Sequence, residues 1–243
     1  MEKILFFSHG DKGGVGKSVI STLATEYLLN LGPVALVETD PRQPDVAKRY
    51  KGDPGIVLSG ISLNRAGDSE NALTRFGNWL EESRQEKVVV NLPSGAGETL
   101  DEHSHLIRSL ADSLGYRLIV TYALEKNSVA TEMMIRSLGS GLLSAVEPEN
   151  RFAAYPLFKG DPESFTWYTS EQREGAEIGE IAIPALRNSS ALQKLEQTTG
   201  RISGLISDRP RPEGWFIIEL ASLDRWYKSA LQEMEKVFGK EGE

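Results

Sequence analysis

The feature that most constrains the fold is the segment HGDKGGVGKSVIS at residues 9–21, which follows the largely apolar run KILFFS. A short apolar run of this kind is typical of a parallel strand that is buried on both faces. Residues 18–32 then carry apolar side chains at helical spacing, and Gly32 and Pro33 end that pattern. The sequence therefore predicts a strand, a glycine-rich turn and a helix in direct succession.

The same alternation continues along the chain. Further strands are predicted at 34–39, 57–63, 87–93, 116–124, 151–158 and 179–186, and further helices at 71–85, 99–115, 128–143 and 215–238. Strands that alternate with helices indicate an α/β fold, a doubly wound and mostly parallel sheet with helices on both faces. Because no repeat or linker interrupts the pattern, we expect one domain over residues 1–239 and a frayed tail at 240–243.

Composition excludes several classes of protein. The 243 residues include no cysteine, which rules out disulfides, cysteine-ligated zinc and iron–sulfur clusters and fits a cytoplasmic protein. The net charge of −8 gives no overall attraction to nucleic acid or anionic lipid. No apolar stretch reaches the ~18 residues of a membrane span.

The glycine-rich segment has the sequence of a phosphate-binding loop. Backbone N–H groups at the start of a helix point at an anion, and glycines let the backbone wrap closely around it. Lys17 is predicted to reach the β- and γ-phosphates, and the Ser18 hydroxyl to ligate Mg²⁺. A glycine turn with incidental lysines is the alternative interpretation.

The loop KGGVGKS resembles the deviant Walker A loop of the ParA/MinD superfamily of P-loop ATPases, with Asp11 where the first glycine of G-x-x-x-x-G-K-[ST] usually stands. The resemblance implies a P-loop NTPase fold, the cofactors ATP and Mg²⁺, and a homodimer that forms on ATP. It also gives Lys12 a role, because the signature lysine of that family contacts the phosphates bound by the partner subunit.

Three later segments extend the resemblance. VALVETDPRQPDV implies that Asp40 orders the attacking water and joins the Mg²⁺ shell. KVVVNLPSGAGETLDEH resembles the Walker B strand and switch II, but Asn91 stands where an aspartate is usual, so hydrolysis is either slow, supported by Asp40 and Ser18, or seldom performed. In EIAIPALRNSS, residues 184–187 either lie beside the base or form a strand end before a helix cap at Asn188 or Ser189.

The predicted site has three sets of residues. The catalytic set is Lys12, Lys17 and Asp40. The metal set is Ser18 and Asp40. The nucleotide-binding set is Asp11, Lys12, Gly13, Gly14, Val15, Gly16, Lys17, Ser18, Val19, Asn91, Pro184 and Arg187.

Within the superfamily, the resemblance implies a short, single-domain ATPase that positions a plasmid, a chromosome or a protein cargo with a cognate adaptor or activator protein. Residues 158–186 also resemble conjugal-transfer ATPases, and a nucleotide-gated binding module with little hydrolysis is a further alternative. Mixed charges on the C-terminal helix argue against membrane attachment. Non-specific DNA contact would use residues 187–194, Arg201, Arg209, Arg211, Arg225 and Lys228. The aromatic residues Phe165, Trp167 and Tyr168 either cap the core or dock a partner.

Overall fold

Strands and helices alternate throughout the computed structural model, which describes residues 2–10, 12–40, 44–63 and 68–239. The strands are β1 (Lys3–His9), β2 (Val34–Glu38), β3 (Ile56–Gly60), β4 (Lys87–Asn91), β5 (Tyr116–Ala123), β6 (Arg151–Pro156) and β7 (Gly179–Ile183). The α-helices are α1 (Lys17–Leu29), α2 (Asp45–Arg49), α3 (Ser69–Ser83), α4 (Gly97–Glu102), α5 (Ser104–Leu114), α6 (Ser128–Ser140), α7 (Ser189–Gln197), α8 (Ile202–Ser207) and α9 (Ile217–Phe238).

The strands form one sheet in the order β3-β2-β4-β1-β5-β6-β7. Every pairing between neighbours is parallel, so the carboxyl ends of all the strands meet at one edge. β1 lies in the middle, paired with β4 on one side and with β5 on the other. The predicted doubly wound α/β fold is confirmed.

Alternate side chains of β1 enter two separate hydrophobic cores. Ile4 and Phe6 pack on the face that α1, α7, α8 and α9 cover. Leu5 and Phe7 pack on the opposite face, beneath α3, α5 and α6. A strand whose two faces are both buried must be apolar at successive positions, which explains the uniform run at the start of the sequence.

Two predicted helices differ from those observed. The helix predicted over 99–115 is divided at His103, whose Nε2 lies 2.9 Å from the Ser69 Oγ of α3. The helix predicted over 128–143 ends at Ser140, because Gly141 adopts an extended conformation before a 3₁₀ turn at Leu142–Ala145.

Strand ends also differ from the predictions. The strand predicted over 151–158 ends at Pro156, where a turn closes through a 2.9 Å hydrogen bond from the Lys159 N–H to the Pro156 carbonyl. The strand predicted over 179–186 ends at Ile183, because Pro184 has no N–H to continue the ladder. The strand predicted over 57–63 is Ile56–Gly60.

The C-terminal helix packs on the sheet. It starts at Ile217 rather than at residue 215, and its residues Leu223, Ala230 and Met234 are completely buried. The Trp226 Nε1–H donates a 2.8 Å hydrogen bond to the Pro184 carbonyl, which fixes α9 to the end of β7. None of the helices within the described ranges has the length and apolar character needed to cross a membrane. The predicted tail at 240–243 lies outside the described residues.

The segment between β6 and β7 is held to the core by two of its own aromatic side chains. Phe165 and Trp167 are fully buried in the core beneath α3 and α6. Glu180 accepts hydrogen bonds from Trp167 Nε1 at 2.9 Å and from the Tyr155 hydroxyl at 3.0 Å, and it forms an ion pair with Arg173. Of the two interpretations of these aromatic residues, Phe165 and Trp167 fit the one in which they cap the core.

A buried carboxylate joins four helices. Glu26 of α1 accepts hydrogen bonds from the Tyr50 hydroxyl at 3.1 Å and from the Tyr227 hydroxyl of α9 at 3.0 Å. It also accepts the Ile202 N–H at 2.8 Å and the Ser203 N–H at 3.3 Å, at the start of α8. Burial raises the pKa of both tyrosine hydroxyls, and the nearby Glu26 charge raises them further.

We expect Glu26→Ala to lower the free energy of unfolding by about 3 kcal/mol, because it leaves several buried donors without an acceptor. Urea denaturation of the full chain measures the change. Tyr227→Phe removes one of the donors and is expected to cost about 1 kcal/mol. Glu81→Ala, at an exposed position of α3, is the matched control. A loss no greater for Glu26→Ala than for Glu81→Ala would contradict this role.

Candidate nucleotide-binding site

The loop between β1 and α1 has the backbone conformation that its glycines permit. Gly14 has φ +73° and Gly16 has φ +102°, values that L-residues with side chains rarely adopt. α1 begins at Lys17, and no side chain caps its N-terminus. The first N–H groups of a long helix are therefore available to an anion at the loop. Asp11, predicted to bind nucleotide, lies outside the described residues.

Lys17 is held inside the loop. The residue is only 5% exposed, and its ammonium donates a 2.6 Å hydrogen bond to the Lys12 carbonyl. The Ser8 hydroxyl of β1 donates to the Lys17 carbonyl at 2.9 Å, which fixes the start of α1 to the end of the strand. A positive charge is thus positioned at the N-terminus of α1.

A cleft of about 440 Å³ opens beside this loop. Eight of the predicted site residues line it: Gly13, Gly14, Gly16, Lys17, Ser18, Val19, Asp40 and Asn91. The structure therefore gathers loop, β2 and β4 at one place, as expected for strands whose carboxyl ends share an edge.

Other predicted residues do not line the cleft. Val15 is buried in the core at 2% exposure, so it supports the loop rather than facing it. Pro184 contacts α9 through its carbonyl, and Asn188 caps α7 by accepting the Ala191 N–H at 3.0 Å. The cap predicted at Asn188 is thus present, while contact of Pro184 or Arg187 with a base stays a prediction.

Lys12 faces outward from the loop. It is exposed, in contrast to Lys17 five positions later. Burial raises the pKa of Glu125, but the hydrogen bond from Lys159, the Lys126 N–H and the charges of Lys159 and Lys12 lower it overall. The Lys12 charge therefore lies on the side of the loop that faces the residues after β5.

Six lining residues lie outside the predicted site: Glu38, Asp45, Leu92, Pro93, Ser94 and Phe158. Asp45 and Ser94 lie in two of the segments that the family resemblance covers, and they are close in sequence to Asp40 and Asn91. This closeness in sequence is the signal that could have identified them. Phe158 is the last residue of the strand predicted over 151–158, and it is exposed because β6 ends earlier, at Pro156.

A hydrogen bond between two buried side chains of the cleft joins Glu38 to Asn91. The Asn91 Nδ2 donates to Glu38 Oε2 at 2.8 Å, and the Asn91 Oδ1 accepts the Ser21 hydroxyl at 2.9 Å. The other Glu38 oxygen accepts the Val46 and Ala47 N–H groups at 2.8 Å each, in the first turn of α2. Glu38 and Asn91 thus connect β2, β4, α1 and α2.

Burial raises the pKa of Glu38, against the lowering effect of the Asn91 amide and the α2 N–H groups. A carboxylate at position 91 would face the Glu38 carboxylate across the same 2.8 Å. Two carboxylates at that separation cannot both be ionised at low cost. The neutral amide of Asn91 is therefore the partner that an ionised Glu38 requires.

The donor atoms in the cleft suit a hard divalent cation. Ser18, Asp40 and Asp45 all line it and carry side-chain oxygen atoms, the ligands that Mg²⁺ prefers. Among the described residues no group of three or more acidic or histidine side chains forms a cage. Mg²⁺ does not need such a cage, since it binds through one or two carboxylates, phosphates and water.

Comparison with known proteins finds similarity to one curated protein at low identity and to solved structures. No model of a protein family matches the chain. Protein MobD of Acidithiobacillus ferrooxidans is 24% identical over 135 residues, which are 55% of this chain and 57% of that protein. The chain therefore spans little more than half the length of that curated relative.

Solved structures give the fold. The septum site-determining protein MinD of Pyrococcus horikoshii OT3, complexed with Mg-ADP, aligns over 98% of both chains with a TM-score of 0.53 and 11% identity. A nucleotide-binding protein of Archaeoglobus fulgidus in complex with ADP covers 79% of this chain and 85% of its own, with a TM-score of 0.44 and 14% identity.

The fold and the glycine loop together define a P-loop protein with a parallel sheet of MinD-like architecture. The P-loop NTPase fold that the resemblance implies is confirmed.

We expect Asn91→Asp to destabilise the protein at neutral pH. The adjacent carboxylates raise the pKa of the pair, so the variant is stable where the pair is protonated and loses stability as pH rises. Relative to wild type, the loss is expected to be small near about pH 4 and to reach about 3 kcal/mol near about pH 7.5. Urea denaturation across this range measures it.

The control is Asn91→Ala, which removes the amide without adding charge and is expected to lose less stability than Asn91→Asp between the two pH values, because Glu38 keeps its two N–H donors from α2. An Asn91→Asp protein that matches wild type at neutral pH and cleaves ATP faster would show that Asn91 only slows hydrolysis.

Proposed function

We propose that this chain is a P-loop ATPase switch that binds ATP·Mg²⁺ in the cleft, cleaves it slowly and dimerises on ATP. One observation carries the proposal: the Lys17 ammonium and the uncapped start of α1 face the same cleft as the acidic residues of β2 and its following segment. Positive and negative groups on opposite sides of a cleft suit an anionic triphosphate and its cation.

Each residue of the loop has a role in the proposal. The N–H groups around Gly13, Gly14 and Gly16 donate to the phosphates, and Lys17 turns its ammonium from the Lys12 carbonyl toward them. Ser18 supplies a hydroxyl ligand to Mg²⁺. When bound, that ion neutralises the charge that develops between the β- and γ-phosphates.

Asp40 is the residue we propose to order the attacking water, because it lies in the cleft at the carboxyl end of β2. Glu38 holds the first turn of α2 through the Val46 and Ala47 N–H groups. Asn91 is neutral. The site therefore has one acidic side chain fewer beside the Mg²⁺ ion than it would have with an aspartate at position 91, which favours slow cleavage of ATP.

A nucleotide-gated binding module with little hydrolysis is the second candidate function. The observation that favours it is again Asn91, whose two hydrogen bonds fit a structural amide as well as a catalytic position. Single-turnover measurement of ATP cleavage by wild type and by Asp40→Asn distinguishes the candidates. Cleavage that depends on Asp40 supports the ATPase, and none in either protein supports the module.

We expect Lys17→Ala to weaken ATP binding by about a hundredfold, because it removes a charge-assisted hydrogen bond to phosphate from a desolvated loop. Isothermal titration with ATP and Mg²⁺ measures the affinity. Lys51→Ala, at an exposed position after α2, is the charge-matched control. ATP affinity equal to that of the control would place the nucleotide elsewhere and overturn the proposed function.

The exposed position of Lys12 supports a homodimer. A side chain that leaves its own loop can add positive charge to the triphosphate of a second copy, as an arginine finger does in trans. Through Lys12, the ATP-bound protomers would face each other across their loops.

For dimer formation, we expect wild type to sediment as a dimer with a non-hydrolysable ATP analogue, and Lys12→Ala to require at least about tenfold more protein because the trans ion pair is lost. Sedimentation velocity over a concentration series measures this, and Lys51→Ala is again the control. Equal dimerisation of Lys12→Ala and the control would remove Lys12 from the interface.

The setting we propose is the cytoplasm, where the switch positions a plasmid or another cargo with an adaptor protein, or serves DNA transfer. For DNA, we propose only a weak and salt-sensitive contact with this chain. Several of the basic residues available for it are paired, Lys194 with Glu219 at 2.6 Å, Arg201 with Asp53 at 2.6 Å and Lys228 with Asp224 at 2.7 Å. The Lys194 ammonium and the Ser190 hydroxyl lower the pKa of Glu219 to about 2.

A further inference from the structure

Phe158 is a large apolar side chain in an unusual place. It follows β6, is 47% exposed, and lines the same cleft as the glycine loop. Its neighbours along the excursion, Phe165 and Trp167, are by contrast completely buried. An aromatic ring left open beside a polar cleft is available to a ligand that presents its own flat surface.

The ring lies against the loop. If Gly16 carried a Cβ, that atom would be 3.1 Å from the Cζ and 3.2 Å from the Cε1 of Phe158. Gly16 therefore lacks a side chain for two reasons, its φ of +102° and the space that this ring occupies. Phe158 is thus directly adjacent to the residue that precedes Lys17.

The sheet order separates this ring from the acidic groups. β2 and β4, which carry Glu38, Asp40 and Asn91 at or just beyond their ends, lie on one side of β1. β6, which carries Phe158 beyond its end, lies two strands away on the other side, at roughly 10 Å for strands about 4.8 Å apart. A ligand with its phosphates at the loop and its cation beside β2 and β4 has its remaining part on the Phe158 side.

The residue next to Phe158 already has an ionic partner. Lys159 forms an ion pair with Glu125, the residue that follows β5 closely. The acidic and amide side chains that line the cleft come from β2, β4 and the segments after them. On the β6 side, the described lining is therefore an aromatic face rather than a hydrogen-bonding group.

We propose that Phe158 stacks on the base of the bound nucleotide and selects purine nucleoside triphosphates by ring area, with little discrimination between adenine and guanine. This inference rests on the proposed function, since it requires the triphosphate to bind at Lys17. Stacking on an aromatic face tolerates different bases because every base has a π-face, and hydrogen bonds to the base edge are what distinguish them.

The experiment measures the affinity of the full chain for ATP, GTP, CTP, UTP and inorganic tripolyphosphate by isothermal titration with Mg²⁺. Wild type is expected to bind ATP and GTP within about threefold of each other and more tightly than CTP and UTP. Phe158→Ala is expected to weaken ATP and GTP by about tenfold and to leave tripolyphosphate unchanged. Phe158→Trp is expected to retain purine binding. Phe216→Ala removes an exposed phenylalanine far along the chain and is the matched control.

Three results would overturn the inference: Phe158→Ala that binds ATP like the control, Phe158→Ala that weakens tripolyphosphate as much as ATP, or wild type that prefers ATP to GTP by more than about a hundredfold. The second would mean that the ring supports the loop rather than the base. Failure of the proposed function has a different signature, because Lys17→Ala would then leave the affinity for tripolyphosphate and for ATP unchanged.

Discussion

The rest of the structure depends on the burial of β1 at the centre of the sheet. Leu5, Phe6 and Phe7 have no exposed surface, and the strand is hydrogen-bonded to β4 and β5 along its length. A strand fixed on both faces and both edges ends at a fixed point, so the loop that follows it is placed in the middle of the carboxyl edge. Acidic groups of β2 then lie to one side of the loop and the turn after β6 to the other.

Glu38 and Asn91 explain how this edge tolerates a buried charge. Both carboxylate oxygens of Glu38 have hydrogen-bond partners: one accepts the Val46 and Ala47 N–H groups at the start of α2, and the other accepts the Asn91 amide. A neutral amide can donate to that carboxylate, whereas a second acid could do so only when protonated. Glu38 and Asn91 therefore form one arrangement, in which the neutral amide at position 91 matches the carboxylate at position 38.

Much of the fold and part of the site could be predicted because they depend on local patterns. Apolar runs and glycines identify β1, the loop and α1, and the shared edge of parallel strands brings Asp40 to the loop. Glu38 is absent from the predicted site, because its hydrogen bond to Asn91 joins positions 53 residues apart. The break between α4 and α5 at His103 likewise coincides with a contact to Ser69, which the spacing of apolar residues in the sequence does not reveal.

Phe158 illustrates a different limit of sequence patterns. An apolar residue at the end of an apolar run is indistinguishable from a strand residue until the turn at Pro156 and Lys159 is known. Once β6 ends at Pro156, the same side chain leaves the core and meets the loop at Gly16.

The two lysines of the loop differ because their backbone positions differ. Lys17 is the first residue of α1, so its side chain lies over the turn before it, where the Lys12 carbonyl accepts a hydrogen bond from its ammonium and water is largely excluded. Lys12 precedes the left-handed glycines, and its side chain leaves the loop on the exposed side, near the charge of Glu125. A buried ammonium interacts strongly with a charge at one fixed place, whereas an exposed one is screened until another surface covers it. The same short segment thus presents one positive charge to the cleft and one to whatever approaches the loop from outside.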